Sequence, residues 1–204
     1  MANDTGAFGL RPVRMRDGTP WNGAVQKCYI SGSYATALFV GDPVVKSPAG
    51  TSANLIANAT MPTIQAPASV ASGTVFWGVI VGFEPNQNNL SLKYSPASTE
   101  GYAYVAVATP ELVFHLRDDG TGTPDTSWPG CNTLLAAGSG NTATGLSGYA
   151  LDADTAPTTT QAHSIHILGL ADLPNNTLAD YAVWEVIINT SQNATGTYLG
   201  VDPS

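Results

Sequence analysis

Apolar and polar positions alternate along this chain in short runs, each closed by Gly, Pro, Asn or Asp, and the runs are rich in β-branched and aromatic residues. Ala24 to Ser31 is one such run, closed by Gly32. Ala37 to Ser47 is another, interrupted by Gly41-Asp42-Pro43. Pro43 has no N–H to give a ladder, so the spacing predicts a bulge or tight turn between two short strands. Thr74 to Phe83 is almost continuously apolar, which predicts a strand buried on both faces, as in a barrel or between packed layers. Ala103 to Ala108 and Glu111 to Arg117 flank Thr109-Pro110, and Gly145 to Leu151, His163 to Leu170 and Tyr181 to Asn189 supply three more strands. Leu178 to Ile188 is the one stretch arguable as a helix, but Val183, Trp184, Val186, Ile187 and Ile188 favour strand through branching and ring bulk. The pattern predicts an all-β fold, a β-sandwich or barrel-like body with little or no helix. Ser47 to Ser52 predicts a turn. Residues 53–72, with Met61-Pro62-Thr63-Ile64 as an edge strand, mark a candidate subdomain boundary within a body spanning 24–204.

Residues 1–23 do not follow this rhythm. Gly6, Gly9 and Pro12 break any helical period, and Pro12 biases Arg11 towards an extended backbone. Phe8 and Leu10 alternate with Gly9 and Arg11, so two apolar side chains would share one side of an extended segment. So short a segment cannot bury much apolar surface by itself. It is expected to be completed either by the chain's own sheet, as a first strand, or by a neighbouring subunit, as an extended N-terminal arm.

The run Phe8-Gly9-Leu10-Arg11-Pro12-Val13, then Gly18-x-Pro20-Trp21-Asn22-Gly23, Tyr29-Ile30 and Ala37-Leu38-Phe39-Val40-Gly41-Asp42-Pro43-Val44 resembles a group of tailed-bacteriophage virion structural proteins, described as head-decoration or cement proteins. The resemblance is densest over residues 8–46 and thins to a general pattern at Gly148-Tyr149-Ala150-Leu151-Asp152 and Ile165-His166-Ile167-Leu168. It implies a non-enzymatic protein that binds the outer surface of an assembled head and bridges capsid subunits. Its partners would be the major capsid protein and other copies of itself, a trimer being favoured over a dimer. Its place would be the virion surface, after synthesis in the host cytoplasm. On this reading Phe8, Leu10, Arg11, Pro12 and Trp21 are the expected arm contacts, the aromatics filling pockets and Arg11 meeting a carboxylate or carbonyl.

Composition narrows the alternatives. Charged residues make up 11% of the 204 residues, against roughly 25% in an average soluble domain. A surface of small neutral polar groups packs on other proteins with few charges to desolvate. The net charge of −8 is uneven: residues 1–46 carry five basic side chains against three acidic, the remainder two against twelve. An acidic body argues against a nucleic-acid surface, which needs a basic footprint. No apolar run approaches membrane-spanning length. Met1 to Thr5 lacks the basic and apolar regions of a secretory leader, so a protein made in a cytoplasm is expected. Cys28 and Cys131, far apart and outside any zinc spacing, are expected as two buried thiols.

Little in the sequence carries chemistry. Gly138-Ser139-Gly140-Asn141 lacks the spacing of a nucleophile elbow, and Gly120-Thr121-Gly122 is not followed by the Lys-Ser/Thr of a phosphate loop. His163 and His166 would face opposite sides of a strand, which disfavours a shared metal. His115 could neighbour Asp118 or Asp119 at a strand end, the one arrangement a small hydrolase could use. Asp118, Asp119 and Asp125 lack the spacing of a calcium loop. Trp77 and Trp184 lie in apolar strands and are expected in the core, whereas Trp128 sits in the loop Thr126-Ser127-Trp128-Pro129-Gly130. With the Asp118–Asp125 loop, Trp128 would be the site of the rival reading, a carbohydrate- or receptor-binding module of a tail or spike. No cofactor, no metal and no catalytic residue is expected.

Overall fold

The computed structural model describes residues 3–47 and 61–193, and these form twelve strands and no helix. They are β1 (Arg11–Met15), β2 (Gln26–Ile30), β3 (Pro43–Lys46), β4 (Ile64–Gln65), β5 (Gly78–Phe83), β6 (Gly101–Val107), β7 (Leu112–Arg117), β8 (Asn132–Thr133), β9 (Leu135–Ala136), β10 (Ala150–Leu151), β11 (Ile165–Leu170) and β12 (Val183–Ile188). One sheet has the order β1-β7-β12-β11-β8 and the other β2-β6-β5-β3-β4, with β9 and β10 as a separate ribbon. All named pairings are antiparallel.

The second sheet curls until its edges meet. Tyr29 bridges Thr63 in parallel and donates its N–H to the Pro62 carbonyl at 2.9 Å, bringing β2 beside β4. The inside of the curl is filled by Cys28, Ile30, Leu38, Val44, Ile64, Trp77, Ile80, Ala103 and Val105. Its outer side lies on the first sheet, where Phe76, Val79, Ala106 and Ala108 join Leu112, Phe114, Leu116, Ile165, Trp184 and Val186 in a second core. The side chains of β5 and of the residues before it therefore serve two cores, since Phe76 and Val79 enter one while Trp77 and Ile80 enter the other. That is the physical reason for the continuous apolar run.

The interruption at Gly41-Asp42-Pro43 is a tight turn. Asp42 donates its N–H to the Phe39 carbonyl at 3.1 Å and accepts the Phe39 N–H on Oδ2 at 2.8 Å, after which β3 begins at Pro43. The predicted edge strand at Met61–Ile64 is realised as β4, two residues paired to β3. The turn over 47–52 lies outside the described residues from residue 48 on, and so does the first part of the candidate boundary over 53–72, residues 53–60. Leu178 to Ile188 is strand from Val183 onwards. Gly145 to Leu151 supplies only the two residues of β10, with Leu146 in isolated bridges to Val40 and Asn141.

Of the segment over 1–23 expected as an arm or as a first strand, residues 11–15 form β1 at the edge of the first sheet. β1 pairs with β7 from Arg11↔His115 to Met15↔Leu112, with a bulge between Pro12 and Arg14. Leu10 is 1% exposed within the core between the sheets, and its N–H donates to the Gly41 carbonyl at 3.0 Å. Burying a leucine in this way is worth about 1.5–3 kcal/mol. The outer edge of β1 is occupied by its own return, in which Met15 N–H donates to Thr19 and Trp21 N–H to Val13, at 2.8 and 3.1 Å. A capped edge of this kind resists pairing with another chain.

A candidate interaction surface around Phe8 and Arg11

Residues 3–8 cross the end of the first sheet, held by side chains at both ends. The Asn3 amide nitrogen donates to the carbonyls of Thr177 and Asp180, both at 3.0 Å, and Asn3 Oδ1 accepts the Thr177 N–H at 3.0 Å. Asp4 accepts the Gly6 N–H at 3.2 Å and the Arg117 guanidinium at 3.0 Å. These two bonds hold its exposed carboxyl below the usual carboxylate range, the Gly6 N–H first. Arg117 also donates to the Gly6 carbonyl. It stands at the last position of β7 and is 7% exposed, so a charge is buried beneath the segment to fasten it.

Phe8 lies between two cations, with the Arg11 guanidinium 3.8 Å from its ring centroid and that of Arg117 4.9 Å. Each such contact is worth about 0.5–1 kcal/mol where solvent reaches it. Arg117 spends its charge on Asp4, but no carboxylate among the described residues lies within ion-pair distance of Arg11. Arg11 is thus a surface cation held in place by a ring, its guanidinium fork bonded to no other described residue. Beside Phe8 a cleft of 720 Å³ runs past Arg117, Tyr149, Tyr181 and Ser139.

The five expected arm residues separate accordingly. Phe8 and Arg11 share the surface just described. Pro12 is half-buried in β1, and Trp21 is half-buried against the core between the sheets. Leu10 is enclosed by the chain's own sheets.

The structure also places the other candidates. His115 faces Glu185, its cross-strand neighbour on β12, with Nε2 3.8 Å from Oε1, rather than Asp118 or Asp119. Glu185 is clamped by Arg14 at 3.1 and 2.6 Å, which keeps its carboxyl below the usual range. Burial pulls the His115 imidazole down despite that neighbour. Asp118 is buried and accepts the N–H groups of Gly120 and Tyr181 at 3.0 and 2.6 Å and the Trp184 indole at 3.3 Å. Asp119 accepts Thr121 N–H at 3.2 Å, and Asp125 accepts Ser127 N–H at 2.8 Å. All three carboxylates therefore organise their own turns. Trp128 is not a stacking platform in a loop: it is 5% exposed and stacked on Trp184, centroids 5.2 Å apart. Trp77 and Trp184 are core residues, each 1% exposed. Gly140 is required by packing, since a Cβ there would lie 2.2 Å from the Phe39 ring. His163 is buried, and His166 Nδ1 is 2.6 Å from Asn132 Oδ1. Cys28 and Cys131 are buried and unbridged. No group of three or more His, Cys, Asp or Glu among the described residues is placed to hold a metal, and no helix among them is long and apolar enough to cross a membrane.

Sequence reasoning missed Asn3, Arg117 and Glu185. A charged residue closing an otherwise apolar strand, as Arg117 closes β7, was the available signal. Glu185 carried one too, as a lone carboxylate within Val183–Ile188. No family model matches the chain, and no curated protein and no solved structure is similar to it.

Proposed function

We propose that this chain is a non-enzymatic decoration protein of a tailed-phage head, binding the outer surface of the assembled shell and stabilising it by bridging capsid subunits. The observation that carries the reading is the meeting of the segments that bear the resemblance. Phe8–Val13 and Ala37–Val44 are some thirty residues apart in sequence, yet Leu10 N–H donates to Gly41 O at 3.0 Å. Gly9 packs so tightly there that a Cβ would lie 2.9 Å from Gly41 Cα. The shared residues thus form one junction that presents Phe8 and Arg11 at the surface. The low charge density, the curled second sheet and the capped edge of β1 suit a protein that must persist in a virion and bind without adding strands to its partner.

On this reading the major capsid protein supplies a carboxylate or carbonyl for Arg11 and an apolar pocket for the Phe8 edge. Further copies of the chain complete the assembly, a trimer before a dimer. Neither nucleic acid nor membrane is a partner. A ligand that binds only the assembled shell stabilises that state by its binding free energy, repeated over many copies. The test is the heat stability of expanded, empty heads loaded with the wild-type chain or with Arg11→Glu. Protection by the wild type and its loss with Arg11→Glu, in a variant whose own melting is unchanged, is the expected result. Equal protection by both would remove Arg11 from the contact, and protection by neither would remove the function.

A further inference from the structure

A second cleft, of 920 Å³, opens between the loop of residues 84–100 and the curled sheet. It falls within the range of about 300–1,000 Å³ usual for small-molecule sites. Three half-buried rings line it, Phe83, Tyr94 and Tyr102. Packing on one side fixes both tyrosines. Tyr94 stacks on Phe39 with centroids 5.1 Å apart and planes at 11°, and Tyr102 lies against Tyr29 at 5.9 Å with Lys27 Nζ 4.4 Å from its centroid.

The polar side of the cleft is pre-shaped. Asn86 Oδ1 accepts the Asn88 N–H at 2.9 Å, Asn89 Oδ1 accepts the Ser91 N–H at 3.1 Å, and the Asn89 N–H donates to the Asn86 carbonyl at 3.1 Å. Two successive side-chain turns thus set the rim before any ligand arrives, which lowers the entropy lost on binding. Ser98 adopts φ 53° in the same wall, a conformation that residues other than glycine seldom take and that gathers at ligand sites.

The lining also limits the ligand's charge. Glu84 is paired with Lys27 at 2.6 Å, and Lys93 donates to the Ala143 carbonyl at 3.3 Å. Two of the three charged groups of the lining, Glu84 and Lys93, therefore have a partner already. The side-chain amides of Gln87 and Asn88 are exposed at the mouth and bond to no other described residue. What the cleft offers is aromatic surface together with neutral donors and acceptors. An uncharged pyranose matches both, with apolar C–H faces to lay on a ring and hydroxyls to meet amides.

We propose that this cleft between the 84–100 loop and the curled sheet binds a neutral oligosaccharide, with Tyr94 and Tyr102 as stacking surfaces and Gln87 and Asn88 as hydrogen-bonding groups. The site shares no residue with the Phe8–Arg11 surface, so it stands or falls independently of head binding.

The test is saturation-transfer NMR on the full chain with cellotriose, maltotriose and chitotriose, each alone and with excess dextran sulfate. Transfer to the ring protons of at least one trisaccharide, unaffected by dextran sulfate, is expected. It should fall at least fivefold in the exposed-loop double variant Gln87→Ala/Asn88→Ala at unchanged melting temperature, and likewise in Tyr94→Leu. Absence of transfer from all three sugars overturns the proposal. So does transfer that survives both variants, or transfer that dextran sulfate abolishes, which would mark a site selected by charge.

Discussion

Replacing Leu10 by alanine asks whether the first strand belongs to its own body. The side chain is 1% exposed and is held between the sheets with Phe114, Trp184 and Val79 as members of the same core. Its backbone is fixed on one side by the bond to Gly41 and on the other by the β1–β7 ladder. The site therefore cannot collapse around the lost atoms, and a leucine truncation of this kind costs about 2–5 kcal/mol. Taking about 3 kcal/mol, and about 2–4 °C per kcal/mol for a chain of this size, melting should fall by about 6–12 °C. Thermal and urea unfolding followed by circular dichroism at two protein concentrations tenfold apart reads this directly. The loss should be the same at both. A change below about 0.5 kcal/mol, the scale of an ordinary surface substitution, would refute the placement of Leu10. A loss that grows on dilution would show that Leu10 fills a neighbour's core instead.

Three other outcomes follow from the same geometry. Gly9→Ala should destabilise by more than about 1 kcal/mol, because Gly9 has φ 68° and a Cβ would lie 2.6 Å from Ser147 Cβ; calorimetry checks it. Burial pushes the Asp42 carboxyl from 3.8 to about 6, so ionising it costs the folded state more than the unfolded one. Its contribution is complete below about pH 4, is lost as pH rises through about 6, and amounts to about 3 kcal/mol; urea midpoints of Asp42→Asn against wild type from pH 4 to 7 should converge or cross as pH rises. Burial also pushes the Cys28 thiol up to about 12, so iodoacetamide should leave it unmodified in the native chain and alkylate it in urea, as mass spectrometry would show.

The parts of the fold that were legible in the sequence are those where one local pattern decides. The almost continuous apolar run ending in Phe83 stated that both faces of β5 are buried, and Pro43 stated that a turn interrupts the run there, although of the two short strands expected around it only β3 forms, Leu38 and Val40 making isolated bridges. Branching at Val183, Val186 and Ile187 outweighed the helical reading of the same residues. What escaped was set by partners distant in the chain. Trp128 sits in a loop of Pro and Gly, but Trp184 covers it from 56 positions away. The partner of His115 is Glu185, chosen by the β7–β12 register rather than by sequence proximity. The N-terminal segment left two completions open because its apolar content fits either, and the choice is made by Gly9 fitting against Gly41 and by Arg117 reaching Gly6 and Asp4. The 84–100 cleft had no signal of its own, since its aromatic residues read as ordinary strand residues until the sheet curls.

The folded-in N-terminal segment also decides how head binding should be tested. Removing residues 1–22 would take away Leu10 and all of β1, so loss of binding by such a truncation would report unfolding. The most direct measurement is co-sedimentation of the intact chain with expanded, empty heads of its cognate capsid protein, titrated to saturation and repeated with Arg11→Glu. The account predicts saturable binding with a fixed number of copies per shell for the wild type, and at least tenfold weaker binding for the variant. Failure of the folded wild-type chain to sediment with the heads at any concentration would contradict it.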